Sequence, residues 1–115
     1  MRIDEEVQVI LNASYDEAVA RKHEFLTPEH IIYSALFFDG PRNLFLKCNI
    51  DPDRLKSDIA GYLEKEVPVA ESGEPVQTIG LQRIIERAVI QNESSSKKEL
   101  TFSDIIVSIF EQKEC

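Results

Sequence analysis

Two histidines, two cysteines and 21 carboxylates are the groups in these 115 residues with the most chemical reach. His23 and His30 stand at opposite ends of one short stretch, Lys22-His23-Glu24-Phe25-Leu26-Thr27-Pro28-Glu29-His30-Ile31-Ile32. With Cys48 and nearby acids they offer nitrogen, sulfur and oxygen ligands, but no spacing among them is specific to a metal site. A histidine–carboxylate pair would also serve acid–base catalysis, so a small helical enzyme is one reading to test. The plainer expectation is that His30 sits at a helix start, partly buried and hydrogen-bonded, and that neither metal nor other cofactor is bound. No Gly-x-x-x-x-Gly-Lys-Ser/Thr loop occurs, which excludes P-loop ATP hydrolysis by these residues. No Gly-x-Ser-x-Gly elbow occurs either. The chemistry points away from catalysis and toward an interaction role.

The balance of charge narrows the partner. The formal net charge is −8 and the pI about 4.7. A nucleic-acid or anionic-membrane surface needs clustered Lys and Arg, so neither is expected as a partner. No apolar run approaches the roughly 20 residues of a membrane span. The start, Met1-Arg2-Ile3-Asp4-Glu5-Glu6, lacks the layout of a secretion signal. Two cysteines without such a signal fit a reducing, cytoplasmic setting, with Cys48 read as a small buried apolar residue.

Helices must position these groups. Asp4 reads as an N-cap, with Glu5 and Glu6 in the first turn, and Val7, Ile10, Leu11, Ser14, Tyr15 and Ala18 recur on one face to about Lys22. Thr27-Pro28-Glu29 opens a second helix by cap, proline and acid. Ile31, Ile32, Ala35, Leu36 and Phe37 make it apolar nearly all round, so it is expected to be buried, with Asp39-Gly40-Pro41 as its stop. Leu44, Phe45 and Cys48 mark a short third helix. Asp51-Pro52-Asp53 opens a fourth, with Leu55, Ile59, Tyr62 and Leu63 inward. Gly61 inside that helix costs about 1 kcal/mol relative to Ala. Residues 66 to 77 have two prolines, a glycine and no period, which reads as a mobile joining loop. Thr78 caps a fifth helix with Leu81, Ile84, Ile85, Ala88 and Val89 inward. Asn92 to Ser96 is turn-like. Thr101 begins a sixth, with Asp104 completing a variant capping box. The fold class expected is all-α.

The pattern occurs twice. At a constant offset of 74, Val7 meets Leu81, Ile10 meets Ile84, Ser14 meets Ala88, Leu26 meets Leu100, Thr27 meets Thr101 and Ile31 meets Ile105. Apolar matches apolar, small matches small and cap matches cap without a gap. This predicts a tandem repeat whose copies bury their apolar faces on each other. Repeat one covers about 1–65, a linker about 66–77, and a shorter second repeat about 78–115. The second copy stops at Cys115, before counterparts of the third and fourth helices. Either the natural protein runs on, or its second copy is shorter and leaves an exposed apolar face.

Two stretches carry a family resemblance over essentially the whole chain. His23-Glu24-Phe25-Leu26-Thr27-Pro28-Glu29-His30-Ile31-Ile32 resembles the Thr-x-Glu-His element of the Clp unfoldase N-terminal domain, the double Clp-N repeat. Leu81-Gln82-Arg83-Ile84-Ile85-Glu86-Arg87-Ala88-Val89 resembles its second-repeat helix. The Arg21–Phe25 segment and Gln82-Arg83 are most similar to the ClpA type. The resemblance implies a non-catalytic domain carried by an ATP-driven unfolding ring. It also implies a ClpS-type adaptor as partner, delivering protein substrates to the ring and its ClpP peptidase. The adaptor-facing positions of the family fall here on Glu24, Glu29, Thr78, Arg83 and Arg87. Glu24 and Glu29 flank a helix start, while Arg83 and Arg87 are like charges at i and i+4 that a partner's carboxylate would relieve. Direct capture of unfolded polypeptide in an apolar groove is the alternative within the same resemblance. The acids at 24 and 29 do not recur, since their counterparts are Lys98 and Ser103. The positions where the copies differ are therefore where a partner is expected.

Overall fold

The computed structural model describes residues 2–70, 73–94 and 99–112. Among these, six helices carry the architecture: α1 (Glu5–Ala20), α2 (Pro28–Ala35), α3 (Asp39–Lys47), α4 (Pro52–Glu66), α5 (Ile79–Ser94) and α6 (Phe102–Gln112). The all-α expectation holds, with one addition. Four two-residue strands, β1 (Arg2–Ile3), β2 (Phe25–Leu26), β3 (Val76–Gln77) and β4 (Glu99–Leu100), form two parallel pairs. Each strand lies just before a helix start, where extended backbone would otherwise leave polar groups without partners.

The offset of 74 holds in three dimensions. It carries β1 onto β3, α1 onto α5 residue for residue, β2 onto β4, and the start of α2 onto the start of α6. The strands pair across copies: Arg2 lies opposite Glu99, and Phe25 opposite Val76. The same offset turns one pairing into the other, which is the signature of two copies related by a pseudo-twofold. Even single bonds repeat. The Asp4 N–H donates to the Leu100 carbonyl at 2.9 Å, and the Thr78 N–H donates to the Leu26 carbonyl at 3.1 Å. Each half thus lends the other the strand it needs. The helix pair α1–α2 packs as α5–α6 does, and matched core positions are buried alike: Val7 with Leu81, Ile10 with Ile84, Ile31 with Ile105. A T-shaped pair of Phe45 and Phe102 rings, 6.4 Å between centroids, adds a contact between α3 and α6.

Local chemistry explains most helix ends. Thr27 Oγ1 accepts from the His30 N–H at 3.4 Å, while His30 Nδ1 accepts from the Thr27 N–H at 3.0 Å, closing a capping box. Thr101 and Asp104 repeat it, the Asp104 carboxylate accepting from the Thr101 N–H at 2.9 Å. Asp51 caps α4, with Pro52 in its first turn. Helices α1 and α3 both end in Schellman turns with a non-glycine residue in the left-handed region, Lys22 at φ 59° and Asn49 at φ 62°. The turn at Lys22 reverses the chain and delivers His23 to the interior and Glu24 to the surface.

Several sequence expectations are corrected. The Asp4 side chain does not cap α1; its backbone is held instead by β4. Asp39-Gly40-Pro41 does not stop α2, which ends at Ala35; these residues form the first turn of α3. Phe37 lies beyond α2 and is 60% exposed, with the Lys56 ammonium 4.4 Å from its ring centroid. Tyr62 is also largely exposed, and Cys48 is an exposed thiol at the end of α3 rather than a core residue. The stretch 66–77 is tied to the first repeat. Val67 is buried, His23 bridges Val69, and β3 pairs with β2. Within it, Glu71 and Ser72 lie outside the described residues, as do 95–98 and 113–115. Asn92 to Ser94 belong to α5 rather than to a turn.

Gly61 lies inside α4, and beyond its chain neighbours and the helix's own backbone nothing comes within 4 Å of where a Cβ would stand. Gly61→Ala is therefore expected to stabilise the chain by about 1 kcal/mol, read as a higher midpoint in urea.

Candidate docking surface

The Lys22 turn, β2 and the start of α2 set the acidic side of the surface. Glu24 is exposed, and its backbone is clamped on both sides. Its N–H donates to the Pro68 carbonyl at 2.8 Å, and its carbonyl accepts from the Val76 N–H at 3.1 Å. One strand pair further on, Thr78 is fixed by its N–H to Leu26. Its hydroxyl accepts from the Leu81 N–H at 3.1 Å, so its side chain is the cap of α5. The β2–β3 pairing thus brings Glu24 and Thr78, 54 positions apart in sequence, to the two ends of one ladder.

Arg83 and Arg87 follow along α5, both exposed. With Glu86, Ile90 and Gln91 they line a shallow hollow of about 350 Å³. Glu29, in the first turn of α2, is half-buried and looks toward α4. Its carboxylate, with burial and Glu66, raises the pKa of Tyr62 above the ordinary phenol value. The five positions therefore divide into Glu24 and Thr78 on the β2–β3 ladder, Arg83 and Arg87 on α5, and Glu29 on the α2–α4 side.

Behind this surface lies a pair that the sequence did not disclose. His23 and His30 are both buried, with His23 Nδ1 and His30 Nε2 2.8 Å apart. The Thr27 N–H can only donate, so His30 Nδ1 must be bare and its proton must sit on Nε2. That proton is then donated to His23 Nδ1, which leaves the His23 proton on Nε2. Both rings are neutral in this arrangement. Burial, then the charges of His23 and Arg21, lowers the pKa of His30 to about 4. Burial and Arg21 also lower that of His23, against a smaller opposing effect of Glu17. His30 is buried more completely than the sequence suggested. Its ring nitrogens face Thr27 and His23 rather than a carboxylate. Among the described residues no cluster of three or more His, Cys, Asp or Glu side chains is placed to hold a metal.

A second concavity lies between α3 and α6. Leu44, Phe45, Cys48, Ile50, Ile106 and Val107 line an almost wholly apolar hollow of about 320 Å³. Among the described residues no helix is long and apolar enough to cross a membrane.

Paired helical repeats that exchange short strands and present charged and apolar surfaces define a helical docking-type domain. The chain belongs to the Clp repeat (R) N-terminal domain family, whose model matches residues 2–115. A ClpA homolog protein of Fuscovulum blasticum is 30% identical over 108 residues, covering 90% of this chain but only 14% of that protein. The Hsp104 N-terminal domain from Candida albicans superposes with a TM-score of 0.87 at 12% identity, over 98% of this chain and 76% of that one. A ClpV N-domain in complex with a VipB peptide gives 0.82 at 16% identity, over 96% and 68%. At these identities the two structures speak to the fold alone.

Proposed function

We propose that residues 1–115 act as one non-catalytic docking domain of a cytoplasmic, ATP-driven Clp ring. In this reading it binds a ClpS-type adaptor through Glu24, Glu29, Thr78, Arg83 and Arg87. The adaptor brings protein substrates to the ring for unfolding and for degradation by a ClpP-type peptidase. The observation that carries the reading is the β2–β3 ladder, which sets Glu24 and Thr78 at the foot of the exposed Arg83–Arg87 face of α5. Acidic and basic groups held on one rigid frame give a partner a fixed orientation rather than mere attraction. Kinship with the ClpA homolog supports the type of ring.

The apolar hollow between α3 and α6 favours a second reading, direct binding of unfolded polypeptide. The two separate by charge reversal. Arg83→Glu is expected to weaken adaptor binding about 30-fold or more, the size of a lost charge pair of about 2 kcal/mol, and to leave binding of an unfolded, uncharged polypeptide within two-fold. Titration calorimetry with both ligands reads this. Equal loss of both, or of neither, removes the docking surface proposed here.

A further inference from the structure

The pseudo-twofold supplies an internal control for every exposed side chain on α5, because α1 has the same backbone environment. On α1 the outward positions 5 and 16 are Glu and Asp, both exposed. Their counterparts on α5 are Ile79 and Ile90, exposed by 67% and 61%. Between them the substitution runs the other way, Val9 and Ala13 becoming Arg83 and Arg87. The fold thus tolerates acids at both end positions, and packing does not account for two open isoleucines there. Positions 79, 83, 86 and 90 are spaced by four, three and four, so they fall in one stripe along the helix. The stripe is apolar at its ends and carries Arg83 and Glu86 between them, with Arg87 on its flank. Val76, at the foot of the same helix, is 60% exposed and extends the apolar end.

We infer that Ile79 and Ile90 are apolar anchor points bracketing Arg83 and Arg87, and that this stripe takes an acidic peptide segment. The matching segment presents two apolar side chains about 16 Å apart, the rise of eleven helical residues, with carboxylates between them. Charge complementarity selects it: Arg83, Glu86 and Arg87 together leave this face with a net positive charge on a chain of net charge −8, which favours an anionic strip whose carboxylates meet Arg83 over a basic one. The apolar ends supply the affinity that exposed ion pairs alone do not. The inference rests on the docking reading and adds the chemistry of the partner's contacting strip.

The test writes α1 into α5. Ile79→Glu and Ile90→Asp install the residues that α1 carries at the equivalent positions, so the melting temperature should stay within about 2 °C. Binding of a ClpS-type adaptor should fall at least ten-fold in each variant, the loss expected for withdrawing one buried isoleucine. If the adaptor binds the unaltered chain and both variants equally, while Arg83→Glu abolishes binding, the anchors are refuted and the docking reading survives. If the adaptor does not bind the unaltered chain, the second probe is a synthetic peptide with leucines eleven positions apart and glutamates between them. Binding of that peptide, lost in Ile79→Glu and Ile90→Asp, supports the anchors and overturns the adaptor reading. Its failure to bind overturns both.

Discussion

Lowering the pH from 7 to 4 is expected to remove about 3 kcal/mol of stability through His30 alone, the worth of a shift from 6.5 to about 4. The direction follows from where the proton goes. In the unfolded chain the imidazole takes up a proton near pH 6.5, while in the fold it resists until about pH 4. Below 6.5 the unfolded state therefore binds more protons, and stability is lost as pH falls. The loss is complete below about pH 4, once the folded state is protonated at this site as well. His23, shifted in the same direction, adds to the loss in that interval. The hydrogen-bond chain gives the shift a structural cause beyond burial. A proton added to His23 Nδ1 meets the His30 Nε2 proton, and a proton added to His30 Nδ1 meets the Thr27 N–H. Urea unfolding at pH 7, 5.5 and 4.5 checks this. The slope should flatten in His30→Asn, whose side-chain oxygen still offers the Thr27 N–H an acceptor. A native chain whose stability is level across this range would contradict the neutral pair.

Ile31→Ala and Ile105→Ala are each expected to cost about 3 kcal/mol, within the 2–5 kcal/mol typical of such cavities. Both side chains are 1% exposed and lie at the same place on α2 and α6. Both costs should fall in this range because the two side chains are equally buried, although α4 packs on α2 and, among the described residues, has no counterpart on α6. Unfolding should remain a single transition, since each half holds a strand of the other. A variant that loses one half while the other stays folded would refute the interlocked arrangement. Calorimetry distinguishes the two outcomes by whether one or two peaks are seen.

The helices and most of their caps were legible in the sequence because their signals are local. Thr27-Pro28, Asp51-Pro52 and the Thr101–Asp104 box each name their own helix start. The copies at offset 74 were legible because buried positions repeat in type. The strands were not, because two residues are too few to show a period of two, and their pairing joins segments 51 and 97 positions apart. The exposure of Phe37, Tyr62 and Cys48 was hidden for another reason. Apolar character says that a side chain gains from burial, but only the packing of α4 on α2 decides which ones are covered. The histidine pair depends on Lys22 adopting a left-handed conformation where no glycine advertises it. The five docking positions came from family resemblance. What the structure adds is the frame: a ladder under two of them, one face of α5 under two more, and Glu29 set apart toward α4.

The most direct test of the docking account is an amide chemical-shift map of the labelled chain during titration with a ClpS-type adaptor. The account predicts that perturbations concentrate on Glu24, Glu29, Thr78, Arg83 and Arg87 and along α5 from Ile79 to Ile90. Perturbations centred instead on Leu44, Phe45, Cys48, Ile106 and Val107, or none at saturating adaptor, would contradict it.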